Sequence, residues 1–210
     1  MNLRRKTLRL AGGLAAACAF PRLIAQTVDP KNKLGLEVDF VPTPHEIVDA
    51  MLKLANVNSS DLVYDLGCGD GRIVIAAAHK FGARGVGIDI DPDRIRDAVE
   101  NARAAGVADR VRFVRGDLFE ADFREATVVT LFLKWNYNRK LRPRLWDQLK
   151  PGTPVVSHEH DFGPDWPPAK RIETNGETVY LYVVPERKRP AATGSFTARR
   201  CAPDTGPCAG

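Results

Sequence analysis

The stretch "VYDLGCGDGR", residues 63–72, packs three glycines into five positions directly after an apolar run. Glycine beside a strand weakens it, so such a cluster belongs where the backbone turns sharply or lets something approach closely. The apolar run "DLVYDL" (61–66), the glycine turn and the Ala-rich helix "GRIVIAAAHKF" (71–81) make strand, loop and helix in succession. The pattern then repeats. "RGVGIDI" (84–90) is a second strand. "DPDRIRDAVENARAAG" opens a helix with Asp91 as N-cap and Pro92 at its first position, and closes it at Gly106. "RVRFVRGD" (110–117) alternates as a third strand, and "ATVVTLFL" (126–133) is continuous and apolar, as a central parallel strand must be. "NRKLRPRLWDQLKPG" reads as a helix with Pro143 near its start, and "TPVVSHEH" (153–160) as a fifth strand. Asn175–Gly176 in "AKRIETNGETVYLYVV" signals a hairpin. Upstream, Pro42 and Pro44 impose an extended lead-in, after which Ile47, Val48, Met51, Leu52, Leu54 and Ala55 recur at helical spacing. This alternation dictates an α/β, doubly wound, mostly parallel sheet that finishes with an antiparallel hairpin strand.

In such sheets ligands sit at the carboxyl ends of the strands, where the strand order reverses. Gly67, Gly69 and Gly71 occupy the first such turn in G-x-G-x-G spacing, not the G-x-G-x-x-G of dinucleotide enzymes. Acids close three successive strands: Asp65, Asp89 and Asp117. Carboxylates accept hydrogen bonds from an ammonium, a ribose diol and an adenine amino group. They repel a pyrophosphate, which needs free N–H groups at a helix N-terminus. The ligand these positions suit is a cationic or zwitterionic nucleoside. Asp91 is the rival to Asp89, although it better suits the N-cap. Gly116–Asp117 also suits a plain turn. Cys68 reads as a small loop residue.

These segments resemble the class I S-adenosylmethionine-dependent methyltransferases. "VYDLGCGDGR" is similar to their first motif, "GVGIDID" to their acidic second-strand motif and "VRGDLFEAD" to their third. The resemblance implies a Rossmann-like seven-stranded sheet with its last strand antiparallel, and S-adenosyl-L-methionine as cofactor. It places Asp65, Gly67, Cys68, Gly69 and Gly71 against the methionine portion, Asp89 on the ribose hydroxyls, and Asp117 with the Leu118 N–H on adenine. A narrower resemblance, carried by "FVPTPHEIVDAML", "GDGRIVIAAA" and "NRKLRPRLWDQLKPGTPVVSH", is to small bacterial relatives of the FAM173 and Dot1-like protein-lysine methyltransferases. It implies that the segment with Thr43 and Glu46 folds over the cofactor, and that lysine amines of a protein are the acceptor. Lys134 and Trp135 stand where the group has an apolar residue and a proline, while Asn138 matches its asparagine. A small-molecule O-, N- or S-methyltransferase and a non-catalytic nucleoside-binding domain are the alternatives.

Candidate catalytic groups follow the fourth strand and close the fifth. Asn136 and Asn138 can orient an amine, and Trp135 and Tyr137 either line a lysine channel by cation–π contact or pack on the next helix. His158 and His160 alternate on the fifth strand and share a face, with His158 a candidate base. Two such ligands on one strand do not make a metal site, and none is expected. The run "NRKLRPRL" suits a solvated helix face.

Charge is unevenly spread over the 210 residues. Residues 1–25 carry +5 and residues 186–210 carry +3, so of the total of +5 the remainder, 26–185, holds −3. A mildly acidic folded part argues against a nucleic-acid partner. Residues 1–25 combine the pair Arg4–Arg5 with the weak apolar run "LAGGLAAACAF" and read as a twin-arginine export signal or a basic leader, too short to span a membrane. Residues 26–40 read as a linker, 41–185 as the methyltransferase domain and 186–210 as a disordered tail, where Cys201 and Cys208 either pair or stay free. A monomer is expected, touching a membrane only through its N-terminal segment. The leader points to the periplasm or to membrane association, whereas cofactor supply points to the cytoplasmic side.

Overall fold

In a computed structural model the described residues are 40–186. The export signal or basic leader expected at 1–25, the expected linker up to residue 39, the expected tail from residue 187, and Cys18, Cys201 and Cys208 lie outside them. The elements run α1 (His45–Leu54), β1 (Leu62–Leu66), α2 (Arg72–Phe81), β2 (Arg84–Asp89), α3 (Pro92–Ala104), β3 (Val111–Arg115), β4 (Val128–Leu131), α4 (Trp135–Gln148), β5 (Pro154–His158), β6 (Lys170–Thr174) and β7 (Glu177–Val183). The seven strands form one sheet in the order β3-β2-β1-β4-β5-β7-β6. β1 to β5 pair parallel, and β7 inserts antiparallel between β5 and β6. Order reverses between β1 and β4, so the switch point stands beside the glycine turn.

Alternation along the central strands sorts two cores. Val63, Val128, Val156 and Val179 face α1 and α2, where Ile47, Val48, Met51, Leu52, Ile73 and Val74 cover them. Tyr64, Val129, Leu131, Val155 and Tyr182 face Leu141 and Leu145 of α4 and Leu149 just beyond it, with Phe162 and Trp166 closing that layer. Both faces of the central strands are therefore apolar, which is why they read as continuous runs. No helix among the described residues is long and apolar enough to cross a membrane.

The Asp91 cap, the Pro92 start and the Asn175–Gly176 turn stand where the sequence predicts: Asp91 accepts from the Asp93 N–H, and the turn residues have φ of 54° and 81°. Two local expectations are corrected. α4 begins at Trp135 rather than Asn138, so Asn136, Tyr137 and Asn138 are helical and Pro143 falls inside the helix rather than near its start. β5 ends at His158, and Glu159 turns with φ 61°, so His158 and His160 do not alternate on one strand.

Candidate cofactor and acceptor site

The turn after β1 is built from backbone groups that already have partners. Gly67, Gly69 and Gly71 take φ of 85°, 52° and 79°, a region that favours glycine. The Gly67 and Cys68 N–H groups both donate to the Ile88 carbonyl of β2, at 2.8 and 3.0 Å. The Gly69 N–H donates to Asp89 Oδ2 at 2.8 Å, and the Gly71 N–H to the Cys68 carbonyl at 2.9 Å. The Arg72 N–H at the mouth of α2 donates to Asp70 Oδ1. With these donors engaged the turn offers no phosphate cradle, and its chemistry suits the cationic nucleoside inferred from the three acids.

Asp65 ends β1 at 2 % exposure, takes a 2.8 Å hydrogen bond from Thr130 Oγ1, and burial pushes its carboxyl up to about 7. Asp89 ends β2 and holds both the Gly69 and Asp91 N–H groups; burial raises its carboxyl against those bonds. The Gly116 N–H donates to the Asp89 carbonyl, which ties the end of β3 to the end of β2. Asp117 follows, accepting from the Phe119 N–H at 2.8 Å, with Leu118 half-buried between them. The three acids thus stand at three adjacent strand ends around the turn. Asp91 does serve as the cap. Cys68 points its sulfur at β2, where a Cβ on Gly87 would lie 2.7 Å from it, so its side chain packs inward and burial pushes its thiol up.

An extended strap, residues 40–44, crosses from this turn toward β5. A Cβ on Gly69 would overlap the Phe40 ring, and the Arg94 guanidinium lies 4.8 Å from the centre of that ring. Arg72 donates to the Thr43 carbonyl at 2.9 Å while gripping Asp70. Thr43 Oγ1 meets His158 Nδ1 at 3.3 Å. Glu46 is exposed on the first turn of α1.

His158 is 1 % exposed, and its Nε2 lies 2.5 Å from Glu177 Oε2. The pairing assigns an Nε2–H donating to Glu177 and an Nδ1 accepting from Thr43. Burial pushes the imidazole below its usual value, although Glu177 pulls the other way, so it is neutral at neutral pH. Phe132 covers it with ring centres 4.0 Å apart. Beside this pair opens a cavity of about 300 Å³, lined by Val41, Pro42, Phe132, His158, Glu159 and Glu177. The ligand atoms of His158, Glu159 and Glu177 lie within 4.8 Å of one another.

The other candidates lie elsewhere. Asn138 is fully buried and donates to Ser157 Oγ and the His160 carbonyl, bracing α4 against the end of β5. Asn136 is exposed. Tyr137 packs toward Phe119, and Trp135 is 56 % exposed under the Arg139 guanidinium; neither lines the cavity. Sequence reasoning missed Phe40, Phe132 and Glu177. Glu177 carried one signal, its place directly after the hairpin turn, but only the β5–β7 pairing, which sets His158 against Val179, brings its side chain within reach of His158.

Known proteins are similar to this chain. The profile of the ANTKMT methyltransferase domain matches residues 65–170. A protein-lysine N-methyltransferase of Saccharolobus islandicus is 49% identical over 156 residues, 72% of this chain and 96% of that protein. The adenine nucleotide translocase lysine N-methyltransferase of Mus musculus is 31% identical over 191 residues, 87% of this chain and 82% of that protein. The crystal structure of a protein from Salinibacter ruber, described as an RNA methyltransferase in complex with S-adenosyl-L-homocysteine, is 58% identical, with a TM-score of 0.69, covering 71% of this chain and 97% of that one. The chain belongs to the ANTKMT methyltransferase domain family and is a methyltransferase that uses S-adenosyl-L-methionine.

Proposed function

We propose that this protein methylates lysine amines of a protein substrate. Asp65 and the Gly67–Gly71 turn hold the methionine part of the cofactor, Asp89 the ribose hydroxyls, and Asp117 with the Leu118 N–H the adenine. The observation that carries the cofactor half is the turn itself: its glycine N–H groups are engaged by the protein, while carboxylates at three adjacent strand ends keep lone pairs for a cationic nucleoside. The lysine half is supported by the acceptors named for the Saccharolobus and mouse relatives. The Salinibacter relative is described as acting on RNA, but residues 26–185 of this chain carry −3, and the cavity beside His158 is lined by two glutamates. Such walls favour an ammonium over a phosphate backbone.

Bound S-adenosylmethionine supplies a methyl group made electrophilic by its sulfonium. The chain's own residues then have a short task. They hold the amine in line, keep it unprotonated and exclude water. Cofactor supply favours the cytoplasmic side for the reaction, whereas residues 1–25, read as an export signal or basic leader, favour the periplasm or membrane association.

Calorimetric titration with S-adenosylhomocysteine tests the cofactor half. The parent should bind saturably and Asp89→Ala about tenfold or more weakly, having lost two accepted hydrogen bonds from the ribose and the brace on Gly69. Equal binding by a folded Asp89→Ala would remove Asp89 from the site. Labelled methyl recovered as methyl-lysine after hydrolysis of a lysine-rich protein acceptor tests the other half, and label recovered only in RNA would overturn it.

A further inference from the structure

The cavity beside the His158–Glu177 pair is small and two-toned. At about 300 Å³ it is at the low end for ligand cavities and has room for one side chain. Val41, Pro42 and Phe132 supply apolar wall, which suits a methylene stem. Glu159 and Glu177 supply two carboxylates, which suit a cation, and the face of Phe132 adds to the attraction. The carboxylates are fixed in place. Glu159 Oε1 accepts from the Thr178 N–H at 2.6 Å, while its own N–H donates to the Thr178 carbonyl at 2.8 Å. Glu177 is held by buried His158, which is itself held by Thr43. The strap that forms one wall also lies on the glycine turn through Phe40 and is pinned to α2 by Arg72. The cavity and the turn are therefore two ends of one continuous structure.

We infer that this cavity receives the acceptor lysine, with Glu159 and Glu177 holding its ammonium and Glu177 accepting the proton that must leave before the nitrogen can attack. The inference rests on the lysine reading above. The proton passes from Nζ to the Glu177 carboxylate and leaves a neutral amine with its lone pair free. Glu177, whose side chain is about one-third exposed, returns the proton to water. His158 is a positioning residue: as a neutral donor through Nε2 it orients Glu177 without competing for the proton. The charged and titratable groups facing this pair are Glu159 and His160 from the turn after β5 and Glu177 from β7; Thr43 and Phe132, from the strap and the end of β4, carry no charge.

The test uses the full chain, hexalysine as acceptor, and the variants Glu177→Gln and Glu159→Gln, with melting temperature as the check on folding. Both variants should bind S-adenosylhomocysteine as the parent does, because neither residue belongs to the glycine turn. The KM for hexalysine should rise about tenfold or more in Glu177→Gln. Its kcat/KM profile should move to higher pH, since the amine must then lose its proton to bulk water. A folded Glu177→Gln with the parent's KM and pH profile would overturn the inference. A parent that binds S-adenosylhomocysteine yet transfers nothing to hexalysine would overturn the lysine reading, and the inference with it; that failure shows in the parent rather than the variant. Activity abolished by a chelator and restored by zinc would assign His158, Glu159 and Glu177 to a metal and also overturn it.

Discussion

Asp65 shows how far one side chain's role depends on its surroundings. Its carboxyl, with a usual value near 3.8, is pushed to about 7 because it is buried at 2 % exposure with one hydroxyl donor, Thr130. In an acid a raised value costs stability when ionised. Well below pH 3.8 the group is protonated in both folded and unfolded chains and costs nothing. As pH rises toward 7 the unfolded chain ionises first, and the cofactor-free fold loses on the order of 4 kcal/mol, with no further loss above that pH. Asp65→Asn should therefore match the parent in urea unfolding at pH 3 and exceed it at pH 7.5, and an unchanged difference between the two pH values would refute this. The same proton gives a second prediction. A ligand ammonium stabilises the ionised form, so S-adenosylhomocysteine affinity should rise from pH 5.5 to about 7 and level off, with proton release visible as a buffer-dependent titration enthalpy. That Asp65 is an acid at a strand end was legible in the sequence. Its full burial was not, because burial depends on how α1, α2 and β4 close around it.

Elements were the most readable scale, and their limits are physical. The two-residue turn Asn175–Gly176 was plain from composition, since both positions take left-handed φ. The turn also delivers Glu177, so Gly176→Val should cost about 1–2 kcal/mol of stability and raise the acceptor KM. Where the reading slipped, tertiary contact had overridden local rules. α4 starts at Trp135 because Asn138 is drawn in to brace Ser157 and the His160 carbonyl, which winds the preceding residues into the first turn. That extension leaves Pro143 inside the helix, where its ring removes the hydrogen bond to the Arg139 carbonyl. Pro143 is exposed, so Pro143→Ala forfeits no buried surface. Restoring the bond, less the entropy proline removes from the unfolded chain, should stabilise by about 2 kcal/mol, a rise of about 4–8 °C in melting temperature. Scanning calorimetry checks it, and no rise would mean that the kink itself supports packing. β5 was read two residues too long for a related reason: nothing in "SHEH" marks the left-handed Glu159, whose conformation is imposed by its two hydrogen bonds to Thr178 of β7.

The cofactor turn and the acidic cavity belong to different strands, and the strap touches both. Phe40 lies on Gly69 at one end, and Val41 and Pro42 wall the cavity beside His158 at the other. One residue fixes this span. Arg72, at the start of α2, donates to the Thr43 carbonyl and is locked in turn by Asp70. A ligand that presses on Phe40 therefore bears on the acceptor wall through a segment stiffened by Pro42 and Pro44, with Arg72 as the fulcrum. If the two sites are coupled in this way, S-adenosylhomocysteine should slow hydrogen exchange at the Val41 and Thr43 amides. Coupling of the usual size, about 1–3 kcal/mol, would tighten acceptor binding about 5- to 150-fold, and by reciprocity the acceptor would tighten cofactor binding by the same factor. Arg72→Ala should leave the two sheet-facing cores intact but collapse that factor toward one. Phe40→Ala should weaken the cofactor response while leaving the acceptor's own affinity near the parent's. Measuring hexalysine affinity with and without S-adenosylhomocysteine in the parent and both variants closes the cycle. A factor that survives in Arg72→Ala would mean the coupling runs through the sheet, from the end of β1 by way of Leu133 and Phe132, rather than through the strap.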